Sequence, residues 1–219
     1  MIKNFISAIP TSFRSVYLQF NDSNPIQDSS QSGIRHRSNF TLALDKPYEE
    51  IYTAYSKNLK RNIKIAAKNE LSICKIGNEE FSSFYLDHTE KEMVDKFRLN
   101  TFLAALIEHI ISQEDGKIWG VKSEDGSILA ACLLTRFNGR LTYLLSRSTK
   151  EGKEKRAMHF IINEIIKANV GKANLLDFEG SEIPTIARFF QFFGAKDTPY
   201  PVLSYARFPF KKTVVPTPL

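Results

Sequence analysis

The spacing of apolar positions changes several times along the first half of the chain. Residues 15–20 (SVYLQF) and 40–44 (FTLAL) alternate as strands do, successive side chains pointing to opposite faces. Between them, residues 21–38 are polar and rich in Ser and Asn, which predicts a surface loop. Asp45 as a cap and Pro47 in a first turn announce a helix, and good helix formers carry it to about Asn69. Residues 71–76 predict a short strand. Asn78 with Glu79 and Glu80 opens a helix containing Phe81, Phe84 and Tyr85. The next helix, residues 100–113, is apolar nearly all round, so it is expected to be buried.

The second half has clearer punctuation. KIWGVKS, SILAACLLTRF and RLTYLLS are separated by Asp-Gly and Asn-Gly, strong hairpin signals between apolar runs, and predict a three-strand meander. A helix over 150–170 follows, stopped at Gly171. The apolar run 173–178 suits a buried strand, 184–193 a helix stopped by Gly194, and 202–208 a last strand. Helices, an antiparallel meander, then helix, strand, helix, strand predict an α+β fold around one mixed sheet.

Composition narrows the class. The 219 residues are 42% hydrophobic and 12% aromatic, enough for a large core and against wholesale disorder, and too few for two average-sized domains. Cys74 and Cys132 are far apart, without metal-ligand spacing, and read as buried thiols of a reducing compartment. No apolar run approaches the ~20 residues that span a bilayer, and the first residues lack the continuous apolar core of a signal peptide. A cytoplasmic location is expected. The net charge of +6 favours an anionic partner, and its distribution matters more than its sum.

Three features carry chemistry. Lys57, Lys60, Arg61, Lys64 and Lys68 are spaced so that they share one helix face with no acid between them, opposite Tyr52, Tyr55, Leu59, Ile63 and Ala66. Such a row suits phosphates of a nucleotide, cofactor or RNA, and it equally suits a solvated face. The run LDFEGS ends an apolar strand in Asp177 and Glu179, which share a face if the strand continues. One of them could be a general base deprotonating an amine; a helix cap and a lysine partner are the plainer roles. The junction from Ser148 through Gly152, with Lys153 and Arg156, joins a strand to a helix. Helix N-terminal N–H groups bind pyrophosphate, with the glycine permitting close approach, although most basic turns are only turns. His36, His88, His109 and His159 have no metal-site spacing, so no metal is expected, and no GxSxG is present.

Taken together, residues 55–73, the meander, EGKEKRAMHFIINEII and above all LDFEGSEIPTIARFFQFFGAK resemble the GNAT-fold acyltransferases of the Fem-like group, which include aminoacyl transferases of peptidoglycan cross-bridge synthesis and related acetyltransferase-like proteins, many of them bacterial. The resemblance covers about residues 40–208. It implies a GNAT-like, mixed and mostly antiparallel sheet flanked by helices. A domain over 39–210 is expected, preceded by a segment over 1–38 that looks like the remnant of a first GNAT-like unit and followed by a tail over 211–219. The implied donor is acyl-CoA, such as acetyl-CoA, or an aminoacyl-tRNA. It would lie at the Ser148 to Arg156 junction.

The expected activity is therefore acyl or aminoacyl transfer onto an amine, with Asp177 or Glu179 as base and Tyr143 or Tyr205 protonating the leaving group. The basic helix would hold phosphates of the donor or of a small-molecule or precursor acceptor, in cell-wall precursor modification. The rival expectation is a non-catalytic GNAT-like module that binds nucleic acid or another phosphate-bearing ligand through the same cations.

Overall fold

The computed structural model describes residues 2–24, 26, 33–113, 116–180 and 183–206. Along the chain run α1 (Ile2–Ser7), β1 (Ser15–Gln19), β2 (Ile34–Arg37), β3 (Phe40–Ala43), α2 (Tyr48–Ala54), α3 (Lys57–Lys68), β4 (Ile73–Cys74), α4 (Asn78–Asp87), α5 (Lys91–Lys96), α6 (Leu99–Ser112), β5 (Gly116–Lys122), β6 (Ile128–Phe137), β7 (Arg140–Ser148), α7 (Lys150–Glu154), α8 (Ala157–Asn169), β8 (Leu175–Asp177), α9 (Pro184–Gln191), β9 (Lys196–Asp197) and β10 (Tyr200–Ala206). They group into two compact units, a larger one of Thr41–Glu179 with Phe190–Ala195 and a smaller one of Met1–Phe40, Gly180–Phe189 and Lys196–Leu219. Residues 211–219, expected as a tail, lie outside the described residues.

In the larger unit the strands run β4-β5-β6-β7-β8-β3, antiparallel except for the β7–β8 pair. The fold is thus α+β with a mixed, mostly antiparallel sheet. The meander forms as its turns predict: Asn138 and Gly139 both have positive φ, 46° and 75°, the conformation a two-residue type I′ turn requires. Phe81, Phe84 and Tyr85 of α4 and Leu103 and Ile107 of α6 pack with Ile128, Ala131 and Leu133 of β6. On the other face α8 buries Ile161, Ile162, Ile165 and Ile166 completely, about 2 kcal/mol of transfer free energy each.

Several elements differ from expectation. The helix expected from Pro47 to Asn69 is two helices, because the Ser56 hydroxyl accepts from Leu59 N at 3.1 Å and caps α3, while Ser56 N donates to Phe192 O. The helix expected over 150–170 breaks likewise, at Arg156 with φ 63°. The 100–113 helix is not buried all round: only Leu103 and Ile107 are, while Phe102 and Leu106 stay 45% and 41% exposed. One mixed sheet was expected, whereas the smaller unit holds a second sheet, β1-β10-β2. Its β2 lies in the stretch expected to be loop; IRHR carries no apolar alternation and is a strand through backbone pairing to β10, from Arg37↔Tyr200 to Ile34↔Leu203.

Candidate functional site

The site begins where two strands part. β7 pairs with β6 from Arg140 to Ser148 but with its parallel neighbour β8 only at Arg140, Leu141 and Thr142. Beyond the Thr142↔Asp177 rung the pairing ends while β7 runs on to Ser148, which leaves a fork. A bulge accompanies the parting, since Leu133 faces Leu145 while Leu134 faces Tyr143, so Leu144 is extra; such an insertion bends and twists a strand locally. The residues that follow the last rung on each strand, Tyr143 and Phe178, join an aromatic cluster. Phe178 stacks on Phe190 with centroids 4.7 Å apart, and the Tyr143 ring meets both edge-on, at 6.1 and 6.2 Å.

Asp177 and Glu179 stand at the fork in different surroundings. β8 ends at Asp177, so strand alternation does not carry on to Glu179. Asp177 is buried; its Oδ2 accepts from Arg140 Nε at 2.7 Å and its Oδ1 from the Glu179 backbone N–H at 2.8 Å. With both oxygens engaged, it positions the turn. Glu179 has φ 59°, a left-handed conformation disfavoured for a residue with a Cβ. The residue as a whole reaches solvent, yet partial burial of its carboxyl and the charge of Asp177 raise its pKa above the usual carboxylate range, with Arg140 opposing. Arg140 was not anticipated from the sequence, although it follows the Asn-Gly turn at the start of β7.

The strand-to-helix junction is capped from within. The Thr149 hydroxyl accepts from Gly152 N at 2.9 Å, and Lys153 N donates to Thr149 O. Gly152 allows a close approach of β6: a Cβ there would collide with the Leu129 carbonyl oxygen. The lack of a side chain at Gly152 therefore serves packing against the sheet. Ser148 ends β7 with its Oγ buried and, among the described residues, without a partner. Lys153 is exposed, and Arg156 is half-buried with one guanidinium N–H donated to Lys153 O. Of the two tyrosines, Tyr143 is fully enclosed and donates to Met158 Sδ at 3.0 Å, and burial raises its pKa well above the ordinary value. Tyr205 sits half-buried on β10 of the smaller unit, paired with Val16.

The basic row on α3 faces solvent at Lys57, Arg61, Lys64 and Lys68, while Leu59, Asn62 and Ala66 are buried. Lys60 is different: it donates to Thr53 O at 3.0 Å and lies 5.2 Å from the centre of the Tyr52 ring. Asn62 contacts the His159 ring at 3.2 Å, and Tyr55, just before α3, lies within electrostatic reach of Glu164. α3 therefore runs antiparallel to α8, and its Lys64–Lys68 end points toward the start of α8, where Arg156 and Lys153 lie. Two cationic features distant in sequence are thus brought to one end of the sheet. His159, between them, has its pKa lowered to about 4 by burial and by Arg156.

No family model and no curated protein matches the sequence. Solved structures do match. Similar structures include FemX, with a TM-score of 0.62 at 14% identity over 80% of this chain and 66% of that one. A tandem GNAT protein from the clavulanic acid biosynthesis pathway matches at TM-score 0.52 and 13% identity, over 90% of this chain and 65% of that one. The C-terminal domain of a putative lysylphosphatidylglycerol synthetase from Agrobacterium fabrum matches at 0.50 and 13%, over 79% and 62%. The chain thus spans about two thirds of the length of these structures. The fold is GNAT-like, of the kind shared with FemX.

Proposed function

We propose that this chain transfers an acyl or aminoacyl group to an amine, with the β7–β8 fork receiving the donor's reactive end and Glu179 acting as general base. The observation that carries the reading is Glu179 itself: a non-glycine residue held in the left-handed region, with a raised carboxyl pKa, at the mouth of a parted parallel pair. Backbone strain and a pKa moved toward neutrality are features functional sites keep and packing does not require. Glu179 takes a proton from the attacking ammonium or amine, the nitrogen lone pair adds to the acyl carbonyl carbon, and the C–S or C–O bond to the donor breaks. The leaving group takes its proton from solvent, since Tyr143 is committed to Met158. Arg140 and Asp177 fix the turn that aims Glu179. Lys64, Lys68, Lys153 and Arg156 hold donor phosphates, whether of an acyl-CoA or of an aminoacyl-tRNA, and a cell-wall precursor is the acceptor class that the resemblance to the Fem-like group implies.

The exposed row Lys57, Arg61, Lys64 and Lys68 supports a second reading, a non-catalytic module that binds nucleic acid or another phosphate-bearing ligand there. Thermal shift and calorimetry with acetyl-CoA, with a non-hydrolysable aminoacyl-tRNA and with uncharged tRNA separate the two. Saturable binding of either acyl-bearing donor, tighter than that of uncharged tRNA and followed by transfer to an amine that Glu179→Gln abolishes, supports the transferase. Binding of uncharged tRNA as tight as that of the charged form supports the module.

A further inference from the structure

A second cleft lies in the larger unit at the opposite end of α8. It encloses about 430 Å³ between the start of β5, the end of β6 and the C-terminal end of α8, within the ~300–1,000 Å³ range of small-molecule sites. Its floor is apolar, formed by the buried Trp119, Leu134 and Leu141. Its polar wall is cationic, with Lys117, Arg136 and Lys172, and no carboxylate is among the described residues that line it.

The cations are held differently. Arg136 donates to Lys172 O at 3.0 Å and to Asn169 Oδ1 at 2.7 Å, and Asn169 is itself fixed by donation to Ile165 O at 2.7 Å. The guanidinium is therefore locked in place while completing the chain just past α8, a structural task that accounts for Arg136 and Asn169. It does not account for the lysines. Lys117 lies over the Trp119 ring, 4.3 Å from its centre, and among the described residues neither Lys117 nor Lys172 has a carboxylate partner. Three cations lining one cleft beside an apolar floor, with no acid among the described lining residues, give a positive field that an external anion would neutralise. The volume exceeds what one phosphate fills, so the floor takes an organic body.

We propose that this cleft binds a small phosphate monoester of mononucleotide size, its phosphoryl group between Arg136, Lys117 and Lys172 and its organic part on Trp119, Leu134 and Leu141. The site is separate from the fork and does not depend on transferase activity.

Trp119 is the sole tryptophan of the chain, so its fluorescence reports on this cleft directly. Titration of the full chain with AMP and with ribose 5-phosphate is expected to give a saturable change, and adenosine none. Lys172→Glu leaves the Lys172 carbonyl available to Arg136, and is expected to keep the melting temperature while weakening binding tenfold or more. Lys64→Glu with Lys68→Glu, on the separate basic helix, is expected to leave the titration unchanged. No saturable response to either phosphate ester up to about 10 mM, an equal response to adenosine, or Lys172→Glu binding like wild type would each overturn the proposal.

Discussion

Arg140 Nε donates to Asp177 Oδ2 at 2.7 Å, tying the first rung of the β7–β8 pairing to its last. The same Asp177 receives the Glu179 N–H through its other oxygen. One ion pair thus closes the paired part of the sheet and sets the turn beyond it.

Removing the arginine should therefore affect both. Arg140→Ala leaves the Asp177 carboxylate buried without its cation, a cost of about 3–5 kcal/mol for a fully buried pair, reduced here because the Arg140 side chain is 33% exposed. A loss of roughly 1–3 kcal/mol in urea denaturation is expected. Asp177→Asn with Arg140→Gln should recover much of it, since no buried charge is then left alone.

Glu179 is expected to sacrifice stability for its position. Glycine adopts φ near +60° without the ~1–2 kcal/mol penalty of a left-handed L residue, at some cost in unfolded-chain entropy. Glu179→Gly should melt at or above the wild-type temperature while losing transfer activity. A variant that melts clearly lower would show that the side chain contributes to the fold.

Acid should loosen the α3–α8 contact through His159. A base whose folded pKa is lowered to about 4 from 6.5 is neutral in the folded state while the unfolded chain takes up protons. Its contribution is whole above pH 6.5 and declines between pH 6.5 and 4, by up to about 1.4 kcal/mol per pH unit. His159→Gln should flatten stability against pH in that window, as read by denaturation at pH 7 and pH 5.

The exposed cations of α3 should matter to binding and not to folding. Lys64→Glu with Lys68→Glu is expected to change stability by less than about 1 kcal/mol and to weaken binding of a phosphate-bearing donor tenfold or more, with the difference shrinking at high salt. Lys60 is a poorer choice for this test because it also holds Thr53 and Tyr52.

Much of the architecture was legible because it rests on local signals. The meander follows from Asn138-Gly139 and from Gly126, the α8 core from the spacing of its isoleucines, and the cationic face of α3 from its periodicity. What was not legible depends on tertiary pairing. β2 has no amphipathic pattern and exists because β10 offers it hydrogen bonds. The break at Ser56 depends on Phe192, well over a hundred residues away in sequence, and the outward face of α6 looks like core by composition alone. At the site, Asp177 and Glu179 were legible as a pair, but their division depends on tertiary placement: Arg140 engages Asp177 as a positioning acid, while partial burial and the Asp177 charge raise Glu179. At Gly152 a glycine in a basic turn carries the same letters whether its open side meets a ligand or a strand, and here that side meets β6. Thr149 offered an N-cap signal that accounts for the turn.

The fork reading stands or falls on one comparison, single-turnover acyl transfer by wild type and by Glu179→Gln, each presented with a donor it binds and an amine acceptor. General-base catalysis typically contributes ~10²–10⁴-fold. A fall of that size at pH 7, with donor affinity and melting temperature unchanged, is the expected result. Equal turnover by Glu179→Gln and wild type would contradict it.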